Sequence, residues 1–407
     1  MSRSKSKPGS ATKRAPAEPL SKAPRWALGV LPLVALGALL VVFVATDPLK
    51  SLRGDFPAVE ELTIERAVLK TQPREIVLTV RNGGPDPVEV AQVLVDEAYW
   101  NYDISPDAHI ERLGRATLHI PYPWVEGEAH EVVLLSSTGV AFAHEIAVAV
   151  ETPETTGKTL WTFTLLGIFV GVIPVFLGLT WLPFVRRLPE QWVRFFLALT
   201  AGLLVFLAVD ALDEALETAG NVPGAFQGVG LIVIGVVGAL AALYALDGWL
   251  RSRRRGEASR LYVALLIAVG IGLHNLGEGL AIGAAYALGE VGLTAFLILG
   301  FTMHNVTEGL GIVTPLSRER PSLRQLAGLG AIAGVPTILG TYSGGLAYSP
   351  IMAVLFLSIG AGAIVQVVWE LGKLLRGDGK QLSAPLNAVG FTAGILVMYL
   401  TGLAVAA

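Results

Sequence analysis

From Leu160 to the C-terminus the chain is a succession of apolar segments, and this constrains the fold more than any other feature. Eight such runs follow one another, at about residues 160–182, 195–216, 228–249, 261–286, 291–313, 326–348, 351–372 and 386–406. Each is long enough to cross roughly 30 Å of hydrocarbon as a helix. A bilayer admits only elements that satisfy their own backbone hydrogen bonds, so an all-α polytopic bundle is expected. Hydrophobic residues are 53% of the chain and charged residues 15%, which sets it apart from soluble globular proteins. Among 407 residues there is no cysteine. Disulfides, thiolate metal sites and cysteine nucleophiles are therefore excluded, and any metal must be held by nitrogen and oxygen.

The linkers orient the bundle. Lys and Arg gather in every second linker: Arg186, Arg187 and Arg194; Arg251, Arg253, Arg254, Arg255 and Arg260; Arg318, Arg320 and Arg324; Lys373, Arg376 and Lys380. The alternate linkers near 217–227, 288–290 and 348–350 carry none. Basic loops stay on the cytoplasmic side. The first and last of the eight ends therefore face outward, as in a bacterial inner (plasma) membrane. A further apolar run, residues 26–46, follows a basic, Ser- and Pro-rich stretch, 1–25, expected to be a disordered cytoplasmic tail. The run exceeds a signal-peptide core and reads as an uncleaved anchor; cleavage near Ala45 would leave the topology unchanged.

Between anchor and bundle lies different material. Residues 47–158 contain strand-like stretches at 75–80, 88–95, 116–120, 131–135 and 142–150, separated by turn sequences such as Asn82-Gly83-Gly84-Pro85. The expectation is a small extracytoplasmic β-sandwich, immunoglobulin-like in its strand spacing. His109, His119, His130 and His144 lie here with no two close in sequence. Packed or solvated histidines are the simpler reading than an external metal site.

The chemistry concentrates in two helices. The fourth of the eight contains His274-Asn275-Leu276-Gly277-Glu278-Gly279, and the fifth contains His304-Asn305-Val306-Thr307-Glu308-Gly309. Positions i and i+4 share a helix face, so each helix presents one imidazole and one carboxylate together. The midpoint falls near Val291, where Gly289-Glu290-Val291-Gly292 offers the turn of a helical hairpin. Antiparallel packing would bring both motifs to one depth near mid-bilayer. Ionisable side chains at that depth are costly and mark function. Two histidines and two glutamates, with Asn275 and Asn305 beside them, suit zinc first, then iron(II), manganese or cadmium, and not the all-oxygen shell of calcium. Interhelical hydrogen bonding alone is the structural alternative. A membrane metalloenzyme is another, but no His-Glu-x-x-His signature is present and no enzyme is expected.

Other polar groups define a route. Asp210, Asp213, Glu214 and Glu217 recur at three- and four-residue steps along the outer half of the second helix. Gln366 and Glu370 share a face at the inner end of the seventh, where Glu370 has Lys373 as an alternative partner. Pro174 and Pro336 lie inside spans and would kink or break them. Nothing in the charge pattern calls for a nucleic-acid partner. The short inner loops leave no room for the output domain of a non-transporting metal receptor, the competing class.

Residues 160–407 resemble the ZIP (Zrt-, Irt-like protein) family of divalent metal transporters: eight helices with both ends outside, the paired His-Asn-x-x-Glu-Gly motif, and Gly360-Ala361-Gly362-Ala363 opening the seventh helix. The resemblance implies a two-metal centre at His274, Asn275, Glu278, His304, Asn305 and Glu308, with Asp210 near the transport path. It also implies import of zinc, iron or manganese, homodimers, and one helix group moving against another. The chain departs from the family at Gly334-Val335-Pro336, where many members place a carboxylate before the proline. The short arginine-rich stretch 251–260 likewise replaces a histidine-rich cytoplasmic loop.

Overall fold

A computed structural model describes residues 25–46, 59–154, 156–253, 260–287, 291–376 and 385–406. The tail over 1–24, the middle of the arginine-rich linker and the hairpin turn at 288–290 lie outside the described residues. The chain divides into two compact units, Met1–Ala58 and Val59–Ala407. In the first, helix α1 (Arg25–Thr46) carries the apolar stretch Val30–Phe43. The second holds a small antiparallel β region followed by a helical bundle.

The β region has nine strands: β1 (Leu62–Thr71), β2 (Arg74–Asn82), β3 (Val88–Val95), β4 (Ala98–Trp100), β5 (Asp103–Ser105), β6 (His109–Ile110), β7 (Arg115–Ile120), β8 (His130–Ser136) and β9 (Ala141–Ile146). One sheet runs β1-β2-β7-β5; the other runs β4-β3-β8-β9, with β6 pairing β3. Residues of both, including Leu78, Val80, Leu118, Val93, Val132 and Leu134, bury one shared core with Trp124. Two facing sheets in this order reproduce the A-B-E-D opposite C′-C-F-G layout of immunoglobulin-like sandwiches. Residues 147–150, expected as strand, leave the sheet after β9. Strand β1, which the sequence pattern does not reveal, is bulged between Ile64 and Arg66. The bulge turns Glu65 inward, where Arg81 Nε at 2.6 Å and Arg115 Nη2 at 2.7 Å neutralise it.

The β region rests on the turn Gly224–Phe226 of the bundle. Glu61 Oε1 accepts from the Gly224 N–H at 2.5 Å, and the Arg81 guanidinium lies 5.6 Å from the Phe226 ring centroid. A Cβ on Gly83 would sit 2.8 Å from Pro223 Cβ, so only glycine allows this approach.

Among the described residues, eight helices of the bundle are long and apolar enough to cross a membrane. They are α2 (Gly157–Val185), α3 (Glu190–Ala219), α4 (Gly228–Arg253), α5 (Arg260–Ala287), α6 (Val291–Val313), α7 (Leu323–Ala347), α8 (Pro350–Arg376) and α9 (Pro385–Ala406). The fourth and fifth of the eight are thus α5 and α6. Pro336 is accommodated within a continuous α7, whereas α2 adopts a π-helical turn at Ile168–Val172 just ahead of Pro174. Glycines let the backbones touch. A Cβ on Gly279 or Gly283 of α5 would fall 2.1 or 2.2 Å from the carbonyls of Thr337 and Thr341 on α7, and Gly340 and Gly344 return the contact. Gly178 of α2 and Gly309 of α6 face each other in the same way. Such approach is how helices associate where no hydrophobic drive separates them from lipid.

Candidate metal centre

The two motif helices are held at one level by their neighbours. α5 is pressed onto α7 by the glycine seam, α6 onto α2, and Gly360 of α8 abuts the backbone of His274. The result places His274, Glu278 and His304 together, all buried, with one ligand atom from each within 4.8 Å of the others. Glu278 Oε1 is the centre of the group. It lies 3.2 Å from His274 Nε2 and in direct contact with His304 Nε2. Among the described residues no other histidine or carboxylate cluster has this form.

The two asparagines act as struts. Asn275 Nδ2 donates to the Ala333 carbonyl of α7 at 3.1 Å. Asn305 Nδ2 donates to the Val170 carbonyl in the π turn and to Glu278 Oε2, each at 3.0 Å. With both amide nitrogens committed, the Asn275 and Asn305 Oδ1 atoms are buried and without a hydrogen-bond partner among the described residues. Their free capacity is that of an acceptor, which is what a cation requires.

Glu308 takes a different position from that expected of a fourth equivalent ligand. It is buried and close enough to interact electrostatically with Glu278, His274 and His304, yet it lies outside the converging group. The Asn275 amide lies beside it, but neither carboxylate oxygen has a hydrogen-bond partner of good geometry among the described residues. Three candidate donors therefore converge, with a second carboxylate beside them. A single ion bound at about 2.1 Å spaces tetrahedral donors roughly 3.4 Å apart, a spacing of the same order as this group's. A buried carboxylate facing two imidazoles, beside acceptor-only oxygens, is a donor set that fits a divalent transition metal.

The polar groups expected along a path fall on either side. On α3, Asp210 interacts electrostatically with His274, His304, Asp213 and Glu278, and Glu214 with Asp210, His274, Glu278 and Glu217. Asp210 and Asp213 are exposed. The acidic stripe thus approaches the centre from the end of α3 nearest Ala219. On α8, Gln366 and Glu370 follow Gly360 by six and ten residues, about 9 and 15 Å further along the helix. Both are buried; Glu370 Oε1 accepts from Lys373 Nζ at 2.6 Å and from Gln366 Nε2 at 3.3 Å. Val335, ahead of Pro336, is exposed on the surface of α7 and supplies no ligand.

Two participants were not legible in the motif itself: the carbonyls of Val170 and Ala333. The signal that points to them is proline. Pro174 has no N–H for the carbonyl four residues earlier, which is Val170, and Pro336 disrupts the ladder beside Ala333.

The four histidines of the β region do not cluster. His130 is tied to Asp96 and accepts from the Val125 N–H, His119 lies 3.2 Å from Glu75, His109 lies 3.9 Å from Glu111, and His144 is on β9. Comparison with known proteins adds no relative: no protein-family model matches the chain, and no curated protein matches it.

Proposed function

We propose that the chain is an integral membrane protein that carries divalent transition-metal ions, zinc foremost, across its membrane. The observation that carries this reading is the convergence of His274, Glu278 and His304, buried between α5 and α6 in a bundle of membrane-length helices. The resemblance of residues 160–407 to ZIP transporters points the same way.

In this reading the ion is substrate. Asp210, Asp213 and Glu214 attract it at the outer end of α3, concentrating cations at the mouth. It exchanges water for the imidazoles and the Glu278 carboxylate, with Glu308 next to them as the group that takes it over or holds a second ion. Gln366 and Glu370 then offer oxygen on the way to the cytoplasmic end, where Lys373 must give up its hold on Glu370 for the ion to pass. Asn275 and Asn305 keep the ligands oriented. Alternating access around a site near mid-bilayer completes the cycle. Imidazole and carboxylate bind metal only without their protons, so uptake weakens in acid.

The test is uptake of zinc, manganese and iron(II) into proteoliposomes by wild type and by a His304→Ala, Glu308→Ala double variant. Accumulation by wild type that the variant loses supports the reading, and the ranking of ions names the substrate. Binding without accumulation in the wild type would make the protein a receptor instead.

A further inference from the structure

A groove runs along the surface of the bundle between α4 and α8, with a cavity of about 610 Å³. Its upper wall is apolar, formed by Leu240, Val365 and Val368, and its lower end carries Tyr244, Trp369 and Arg376. Tyr244 is 70% exposed and Trp369 54%, large exposures for aromatic side chains on a helix bundle. Two cations gather on this one indole: the Arg376 guanidinium 5.5 Å and the Lys373 ammonium 5.9 Å from the Trp369 ring. A Cβ on Gly372 would meet nothing closer than an Arg376 nitrogen at 3.9 Å, so the floor is open backbone.

We infer that this groove is a binding site for an anionic phospholipid of the cytoplasmic leaflet. The inference rests on the membrane reading above and extends it to a second ligand. The chemistry matches along the whole length of the groove. Acyl chain lies against the valines and Leu240, Tyr244 and Trp369 stand at headgroup level as interfacial aromatics do, and Arg376 and Lys373 neutralise the phosphate. A second copy of the chain fits less well, because a two-fold interface sets each patch against itself and would place Arg376 and Lys373 near their own counterparts.

The site connects to the path. Lys373 is shared between the Trp369 face and the Glu370 carboxylate, which also accepts from Gln366, itself a groove residue. A phosphate that draws Lys373 toward it weakens the Lys373–Glu370 ion pair at the inner end of α8.

The test measures lipid retained by the purified full chain in detergent, by native mass spectrometry, with phosphatidylglycerol, phosphatidylcholine and water-soluble glycerol phosphate as probes. Wild type should retain phosphatidylglycerol over phosphatidylcholine by roughly tenfold or more, as two basic contacts imply, and retain no glycerol phosphate. The Arg376→Gln and Trp369→Leu variants should lose that preference while keeping the wild-type melting temperature and metal binding. Equal retention of the two lipids, an undiminished preference in both variants, retention of free glycerol phosphate, or protection of the groove by a second copy in cross-linking would each overturn the inference. These readouts need no transport, so failure here leaves the metal-carrier reading standing, and failure of uptake leaves the lipid site standing.

Discussion

Asn305 donates a hydrogen bond to the carbonyl of Val170 at 3.0 Å, the acceptor that residue 174 would use in an α-helix were it not proline. The same Nδ2 reaches Glu278, so one amide joins a helix irregularity to the carboxylate at the middle of the candidate centre. Asn275 makes the matching contact to Ala333, three residues ahead of Pro336. Each motif helix is thus braced, through the residue after its histidine, on a proline-bearing neighbour.

Replacing Asn305 by Ala removes the brace and leaves a buried carbonyl and a buried carboxylate short of a donor. The expected cost is about 1–3 kcal/mol of stability, with metal affinity reduced roughly 10- to 100-fold as for other groups that orient ligands. Pro174→Ala restores an N–H that competes with Asn305 for Val170, and should weaken metal binding without lowering the melting temperature. Titration calorimetry and thermal unfolding in detergent separate the two effects. Wild-type affinity in Asn305→Ala would refute the bracing role.

The three converging residues and Glu308 should not behave alike. His274→Ala, Glu278→Ala and His304→Ala each remove a donor from the compact group and should lower affinity for zinc by at least roughly 100-fold, the upper range seen even for groups that only orient ligands. Glu308→Ala should cost less in binding of the first ion and more in uptake. Radiolabelled zinc binding and proteoliposome uptake, measured on the same preparations, check this. If Glu308→Ala abolishes first-ion binding outright, it is a primary ligand and the three-residue description is wrong.

Most of the bundle was readable from the sequence because apolar runs of this length permit so few alternatives to a helix. Each apolar run became a helix within a few residues of its expected bounds, and the thirty-residue repeat of His-Asn-x-x-Glu-Gly pointed to paired helices. The finer arrangement was not readable. His304 contacts Glu278 on the other helix and not the Glu308 four residues along its own, since relative rotation of two helices depends on neighbours that no local pattern encodes. Strand β1 escaped notice because its bulge shifts the inside–outside alternation at Glu65, so the period-two pattern fails and a buried charge stands where an apolar residue is expected.

The glycine seam between α5 and α7 makes a prediction with its own control. Gly279→Ala and Gly340→Ala place a methyl 2.1 and 2.2 Å from the carbonyls of Thr337 and Leu276, well inside ordinary van der Waals contact. The helices must part, at a cost of about 1–3 kcal/mol, and His274 and Glu278 move with α5. Gly300→Ala, in α6, meets nothing within 4 Å and should be neutral or stabilising by up to about 1 kcal/mol, because alanine is the better helix former. Thermal unfolding of the three variants distinguishes the cases; equal melting temperatures would mean the seam is looser than its geometry implies.

The β region carries a pH-dependent contact of its own. Asp96 accepts from the Tyr122 hydroxyl at 2.6 Å, from His130 Nδ1 at 2.7 Å and from the Glu131 N–H at 2.9 Å. Burial by itself would raise the Asp96 carboxyl, but these hydrogen bonds outweigh it and hold the group below its usual range. The hydrogen bond to Asp96, with burial adding to it, pushes the Tyr122 phenol from 10.0 up to about 12. Asp96 therefore contributes fully above the ordinary carboxylate range and loses its contribution as the solution is acidified through its lowered folded-state value. Tyr122 contributes fully below pH 10.0 and is lost as pH rises through about 12. Because Asp96 is partly exposed, Tyr122→Phe should cost only about 1 kcal/mol at neutral pH, and the loss should vanish in strong alkali. Ultraviolet titration of the full chain should show that the tyrosine lost in the variant is one that ionises near pH 12; a wild-type-minus-variant difference centred near pH 10.0 would mean the hydroxyl faces solvent and does not bind Asp96.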